Sequence, residues 1–274
     1  IYGRIPFVCL ETSVMNISLA SKKALVTGGT HGIGKAIAER LNKSGCDVAV
    51  FSRDENKVND TKKHLDKYSN NNLYYVGDAT CKLDFDKITK DIDNKWGGVD
   101  ILINNVGGGG RWGNDFMHDT DVSVWEEVFD KNIIAAVRYT KHFLPFMINN
   151  NWGRVICISS IYGKDVGGRP WFNAAKSSQN VIMKNLSQKH LYSSSNITFN
   201  SVAPGPIYIE NTGWSKLKHE RPIEFENYVA DNIPRGIMGT ANEVANVVCF
   251  LCSDKSSLIN GAVIPCDGGQ GISI

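Results

Sequence analysis

Along nearly the whole chain, short apolar runs alternate with longer stretches of mixed polarity. The first run, "KALVT" at 23–27, stops at a pair of glycines. The stretch 33–45 then puts Ile33, Ile37, Ala38 and Leu41 at helical spacing and ends on Gly45, a residue that stops helices. The same alternation predicts strands at 47–52, 72–77, 99–105, 154–160, 197–205 and 262–266. Between them it predicts helices at 54–68, 83–96, around 122–148, from about 171 to 192, and at 241–253. Residues 206–236 read as loop and helix. Continuously apolar strands are covered on both faces, and strand–helix repetition joins them in parallel. The expected fold class is α/β: a single domain with a doubly wound, mostly parallel sheet and helices on both faces. No repeat, low-complexity linker or second domain breaks the pattern.

Composition narrows this further. A chain of 274 residues, 42% hydrophobic and 21% charged, can bury the core of one large domain. Its 30 basic and 28 acidic residues leave a formal net charge of +2, which gives no pull toward nucleic acid or a charged membrane. No apolar run reaches membrane-spanning length. The cysteines, at 9, 46, 81, 157, 249, 252 and 266, are scattered and odd in number, the pattern of reduced, mostly buried thiols in a cytoplasmic protein. Cys249 and Cys252 make a CxxC, but "VANVVCFLCSD" reads as the apolar face of a helix. No second pair or nearby histidine supports a metal site there, and none is expected. Residues 1–14, "IYGRIPFVCLETSV", do not join the pattern and lack the features of a signal peptide. They are expected to be an extension ahead of a domain spanning 15–274.

The candidate chemistry starts at "TGGTHGIG", 27–34, between the first strand and the first helix. Gly28, Gly32 and Gly34 fit a G-x-x-x-G-x-G spacing, with Thr30, His31 and Ile33 between them. Glycine lets the backbone turn sharply and approach a pyrophosphate, and the helix start offers free N–H groups. The position after a strand and before a helix points to a dinucleotide. An NAD site normally ends its second strand on an acid. Here that place holds Ser52, followed by Arg53, a pair suited to a 2′-phosphate, so NADP is expected over NAD. Asp54 reads as a helix cap, and His31 is placed to reach the same phosphate.

With this loop, "GDAT" (77–80), "NNVGG" (104–108), Asn132, "ISS" (158–160), Lys176 and "APGPI" (203–207) in order, the chain resembles the short-chain dehydrogenase/reductase family over about residues 19–270. The resemblance implies a Rossmann fold and a carbonyl–alcohol oxidoreductase. It implies that Asp78, beside Ala79, bonds the adenine. Asn104 to Gly107, Asn105 included, would line the ribose. Pro204, Gly205 and Ile207 would meet the nicotinamide end. Ile209 stands where family members often have a threonine, with Thr212 the nearest substitute.

The family's catalytic Asn, Ser, Tyr and Lys fall on Asn132, Ser160, Phe172 and Lys176. The proton donor is therefore missing. A phenylalanine can neither give nor accept a proton, and losing a general acid costs roughly 10²–10⁴ in rate. Weak or abolished turnover is one expectation, with Tyr162 or Ser160 as stand-in donor. A non-catalytic NADP-binding or regulatory protein is the alternative. Arg111, Trp112, Arg169, Trp171 and Trp214 are candidates to converge on a polar, sugar-like or carboxylated substrate. Trp125, Val128, Phe129 and Phe143, with Val181, Ile182 and Leu186, give two helices apolar residues beyond a single core face. By resemblance these helices pair subunits, giving a homotetramer or homodimer.

Overall fold

The computed structural model describes residues 16–114 and 116–273. The extension expected at 1–14 lies outside the described residues. The strands, in chain order, are β1 (Lys23–Thr27), β2 (Asp47–Ser52), β3 (Leu73–Val76), β4 (Ile101–Asn104), β5 (Gly153–Ile158), β6 (Ile197–Pro204), β7 (Ile207–Tyr208), β8 (Gly239–Thr240) and β9 (Val263–Cys266). Seven form one sheet in the order β3-β2-β1-β4-β5-β6-β9, every pairing parallel. β7 and β8 pair separately. The order reverses between β1 and β4, so the loops leaving their carboxyl ends part and open a crevice there.

The helices are α1 (Gly32–Lys43), α2 (Glu55–Leu65), α3 (Lys82–Trp96), α4 (Val122–Phe129), α5 (Ala135–Asn149), α6 (Pro170–Ser187), α7 (His190–Ser194), α8 (Gly213–Glu220), α9 (Pro222–Asn232) and α10 (Ala241–Leu251). They cover both faces because successive strand residues point opposite ways. Val26 and Val50 pack with Ile37, Leu41 and Val248 on one face. Leu25, Ala49 and Phe51 pack with Ile92, Tyr139 and Phe143 on the other. A smaller cluster of Val128, Ile133, Trp171 and Ala175 sits between α4 and α6.

The expected elements are present, with two refinements. The helix anticipated over 122–148 is α4 and α5 joined through a π turn at Asp130–Ile134. The one anticipated to 192 stops at Ser187, and α7 follows as a separate turn. Asp54 caps α2 by accepting from the Lys57 N–H at 3.2 Å. Cys249 and Cys252 are fully buried in the core, and burial pushes the Cys252 thiol far up, so core packing describes that pair.

Candidate active site

The crevice at the β1/β4 parting is built from backbone. Gly28 (φ +64°) and Gly32 (φ +53°) adopt left-handed conformations that favour glycine. A side chain on Gly34 would meet the Gly28 carbonyl and the Asn105 amide nitrogen. The Asn105 amide donates to the Thr27 carbonyl (2.9 Å) and the Gly28 carbonyl (3.3 Å). The Thr27 hydroxyl accepts from the N–H groups of Asn105 and Val106 at 2.9 and 3.0 Å. These bonds tie the diverging strand ends together. His31 begins α1 without a side-chain cap, so the first-turn N–H groups stay available to an anion.

The crevice holds about 420 Å³ and is lined by Gly28, His31, Ser52, Arg53, Asp78, Ala79, Asn105 and Gly107, among others. Arg53 lies 3.5 Å from the Asp78 carboxylate and is mostly exposed. Burial opposes ionisation of Asp78, but the Thr80 N–H and hydroxyl, helped by Arg53 and Lys131, outweigh it and hold the carboxyl below its usual range. Burial, then Lys57 and Lys35, push the His31 imidazole down. Thr30 is buried and Ile33 half-buried beneath the loop. Ile209 reaches over the loop, and a Cβ on Gly32 would stand 2.9 Å from its Cδ1. The Thr212 hydroxyl donates to the Ile209 carbonyl at 2.7 Å and is spent there. Pro204 ends β6; Gly205 follows it, packed against the Asp267 backbone, and Ile207 is buried in β7. Uncapped helix N–H groups, glycines without room for side chains, and a serine–arginine strand end fit a phosphorylated dinucleotide.

Of the catalytic candidates, Asn132 and Lys176 come together beside Gly107, a residue of the crevice lining, and Phe172 lies one turn before Lys176. Ser160 follows β5 and starts a short 3₁₀ turn, its hydroxyl accepting from the Tyr162 N–H at 3.2 Å. Pro170 opens α6 with a pre-set φ. Phe172 and Lys176 then share one face, the Lys176 Nζ 5.6 Å from the ring centre. Lys176 is buried; its Nζ donates to the Ile158 carbonyl (2.9 Å) and to Gln179 Oε1 (3.1 Å). Burial lowers this ammonium to about 8, with the neighbouring Cys157 thiol pulling the other way.

Asn132 lies in the π turn, a device that re-aims side chains inside helices. Its amide donates to the carbonyls of Gly108 (2.9 Å) and Val128 (2.8 Å). Its own main-chain carbonyl accepts from the Gln179 amide at 2.8 Å. A Cβ on Gly107 would stand 2.7 Å from Asn132 Oδ1 and 3.0 Å from Lys176 Nζ. Asn132 and Lys176 therefore pack over the same glycine, and Gln179 bridges them. Sequence reasoning missed Gln179. The available signal was its place three residues after Lys176, on the same helical face.

On the open side, Gly110 abuts the Phe172 ring. The Arg111 guanidinium stacks 5.4 Å over Trp214, which leans on Tyr228 at 4.6 Å. Trp112 receives the Lys131 ammonium at 4.7 Å. Trp171 is instead fully buried, edge-on to Trp125 and bonded to the Gly109 carbonyl at 3.3 Å. It is a core residue, and the Arg169 guanidinium lies against it at 5.7 Å. The Tyr162 ring packs on Gly167 and Gly168, and burial, then Tyr228, push its phenol above the ordinary value.

Residues 28–270 match the family model described as enoyl-(acyl carrier protein) reductase. The chain belongs to the short-chain dehydrogenase/reductase family of oxidoreductases. Its relatives within that family include the 3-oxoacyl-(acyl-carrier-protein) reductase FabG of Aquifex aeolicus, 32% identical over 93% of this chain and 100% of that protein. A tropinone reductase homologue of Arabidopsis thaliana is 32% identical over 92% of this chain and 93% of its own. Among solved structures, L-sorbose reductase from Gluconobacter frateurii complexed with NADPH and L-sorbose superposes with a TM-score of 0.86, at 25% identity, over 95% of this chain and 100% of that one. The Pseudomonas aeruginosa RhlG/NADP complex superposes with a TM-score of 0.82, at 27% identity, over 94% and 99%. Among the described residues no helix is long and apolar enough to cross a membrane, and no cluster of His, Cys, Asp and Glu could hold a metal ion.

Proposed function

We propose that this protein is an NADP(H)-dependent oxidoreductase interconverting a carbonyl and a secondary alcohol, slowed by Phe172 at the position of the family's tyrosine. The observation that carries the reading is the packing of Asn132 and Lys176 over Gly107, a residue of the crevice that Ser52 and Arg53 also line. NADPH, when bound, would supply the hydride, and the NADPH and NADP complexes of the two structural relatives support that coenzyme. Gly28, Thr30, His31, Gly32, Ile33 and Gly34 would hold the pyrophosphate. Ser52 and Arg53 would hold the 2′-phosphate, and Asp78 with Ala79 the adenine. Asn105 and Gly107 would support the sugars, and Pro204, Gly205 and Ile207 the nicotinamide end.

In this reading Ser160 Oγ hydrogen-bonds the substrate oxygen. Lys176 presents its remaining N–H to the coenzyme's sugar, since Ile158 and Gln179 occupy the other two. Phe172 supplies an apolar wall where a proton is required. The alkoxide takes its proton from water or through Ser160; Tyr162, weakened as an acid by burial, is a poor substitute. The second reading is binding without turnover. It is favoured by the same pair: Phe172 covers the ammonium, and Gln179 consumes one of its donors.

A groove of about 460 Å³ between α5 and α6, lined by Val137, Leu144, Ile182 and Leu186, supports assembly through these helices into a homotetramer or homodimer. Free thiols, four of the six described ones fully buried, support residence in a reducing compartment, the cytoplasm. The domain would run from 15 to 274. The test is calorimetry with NADPH and NADH, followed by turnover on a panel of ketones and ketoses. Tighter NADPH binding with slow carbonyl reduction is expected. Absence of binding to either coenzyme overturns the proposal; NADPH binding without any turnover selects the second reading.

A further inference from the structure

We propose that Lys131 is a phosphate-binding residue of the coenzyme crevice, which Arg53 also lines. The inference rests on the dinucleotide reading above. The π turn at Asp130–Ile134 places Lys131, beside Asp130, on the lining of the crevice that Ser52 and Arg53 also line. The Trp112 ring, 4.7 Å from its Nζ, holds the ammonium at the rim. The Gly108 backbone runs beneath it, a Cβ there standing 3.7 Å from Nζ. The ammonium thus sits just past Gly107, over which Asn132 and Lys176 pack.

Burial, then repulsion from Arg53, hold the Lys131 ammonium below its usual range, and Asp78 and Glu127 only partly offset this. Arg53 is paired with Asp78 at 3.5 Å. Two cations therefore line one cleft, with Asp78 paired to Arg53 and Glu127 and Asp130 also on the lining. An anion carrying more than one charge relieves their repulsion and gains from both. A simple packing role on Trp112 would explain the ring contact, but not a cation lining the crevice. The shared chemistry is a phosphate ester of the coenzyme. The pyrophosphate and the 2′-phosphate are the two coenzyme groups with that chemistry.

The experiment is calorimetric titration of the full chain and its Lys131→Met and Lys131→Arg variants with NADPH and with NADH. Methionine keeps the apolar stem and removes the charge; arginine keeps the charge. Lys131→Gln serves as a second neutral variant if Lys131→Met lowers the melting temperature. Loss of one charge-assisted contact is expected to weaken binding about tenfold, with Lys131→Arg close to the parent. Equal weakening for both coenzymes assigns Lys131 to the pyrophosphate; weakening for NADPH alone assigns it to the 2′-phosphate. Unchanged affinity for both, with the parent binding normally, overturns the proposal alone. A parent that binds neither coenzyme removes the dinucleotide reading and this proposal with it.

Discussion

Replacing Phe172 with tyrosine adds one oxygen at the place where the proposed chemistry lacks a proton. The ring centre lies 5.6 Å from the Lys176 ammonium. At an effective dielectric constant near 20, a positive charge at that distance favours a phenolate by about 3 kcal/mol. It acts only while Lys176 is charged, below about pH 8, and lowers the phenol from its ordinary value of about 10. Phe172 is half-buried, so desolvation works against part of this shift. The phenol would then be a usable acid near neutral pH, and Phe172→Tyr is expected to raise kcat for carbonyl reduction by roughly 10²–10⁴. Reduction needs the protonated phenol, so the gain should fade as pH rises through that lowered value, while alcohol oxidation should gain in the same direction. The assay is NADPH consumption across pH with a carbonyl panel, beside calorimetry of NADPH binding. A variant that binds NADPH like the parent yet turns over no faster refutes the reasoning, because the hydroxyl would then not be the missing part.

The other predictions concern the residues around it. Arg53→Glu should weaken NADPH by roughly 10–100-fold, from a lost charge-assisted bond and an added repulsion, and narrow the gap to NADH in the same titration. Gln179→Leu strands the Asn132 carbonyl and one Lys176 N–H in a buried place; about 1–3 kcal/mol of stability should be lost in urea melts. Lys176→Met isolates a linkage term. With the folded pKa near 8 and the unfolded value near 10.4, the unfolded chain binds more protons between those limits. The stability of the parent minus that of Lys176→Met should therefore be flat below about pH 8 and rise toward pH 10.4.

The strands were legible because parallel strands buried on both faces are nearly continuous apolar runs, and "KALVT" or "DVAVFS" offers no competing helical period. The glycine loop was legible because only glycine tolerates its φ angles and close approaches. The π turn was not, since the apolar pattern of 122–148 runs through it and a single added residue barely disturbs the average period. Gln179 reads as an ordinary polar position on a helix; its burial depends on Asn132, 47 residues away. Trp171 misled for the opposite reason. Glycines and an arginine around it suggest an exposed loop, yet α6 begins beside it and turns the indole into the core. For Gln179 and Trp171, local composition was overruled by a contact distant in sequence.

The π turn also sets which length changes the chain can absorb. Each residue added to or removed from a helix rotates all that follows by about 100°. The π turn already absorbs one extra residue, so removing one between 130 and 134 would regularise the coil and keep Tyr139 and Phe143, both fully buried, toward the sheet. A further inserted residue has no such slack to use and would swing both side chains off the sheet. The helix behaves like a threaded screw whose pitch was cut with the extra residue already counted.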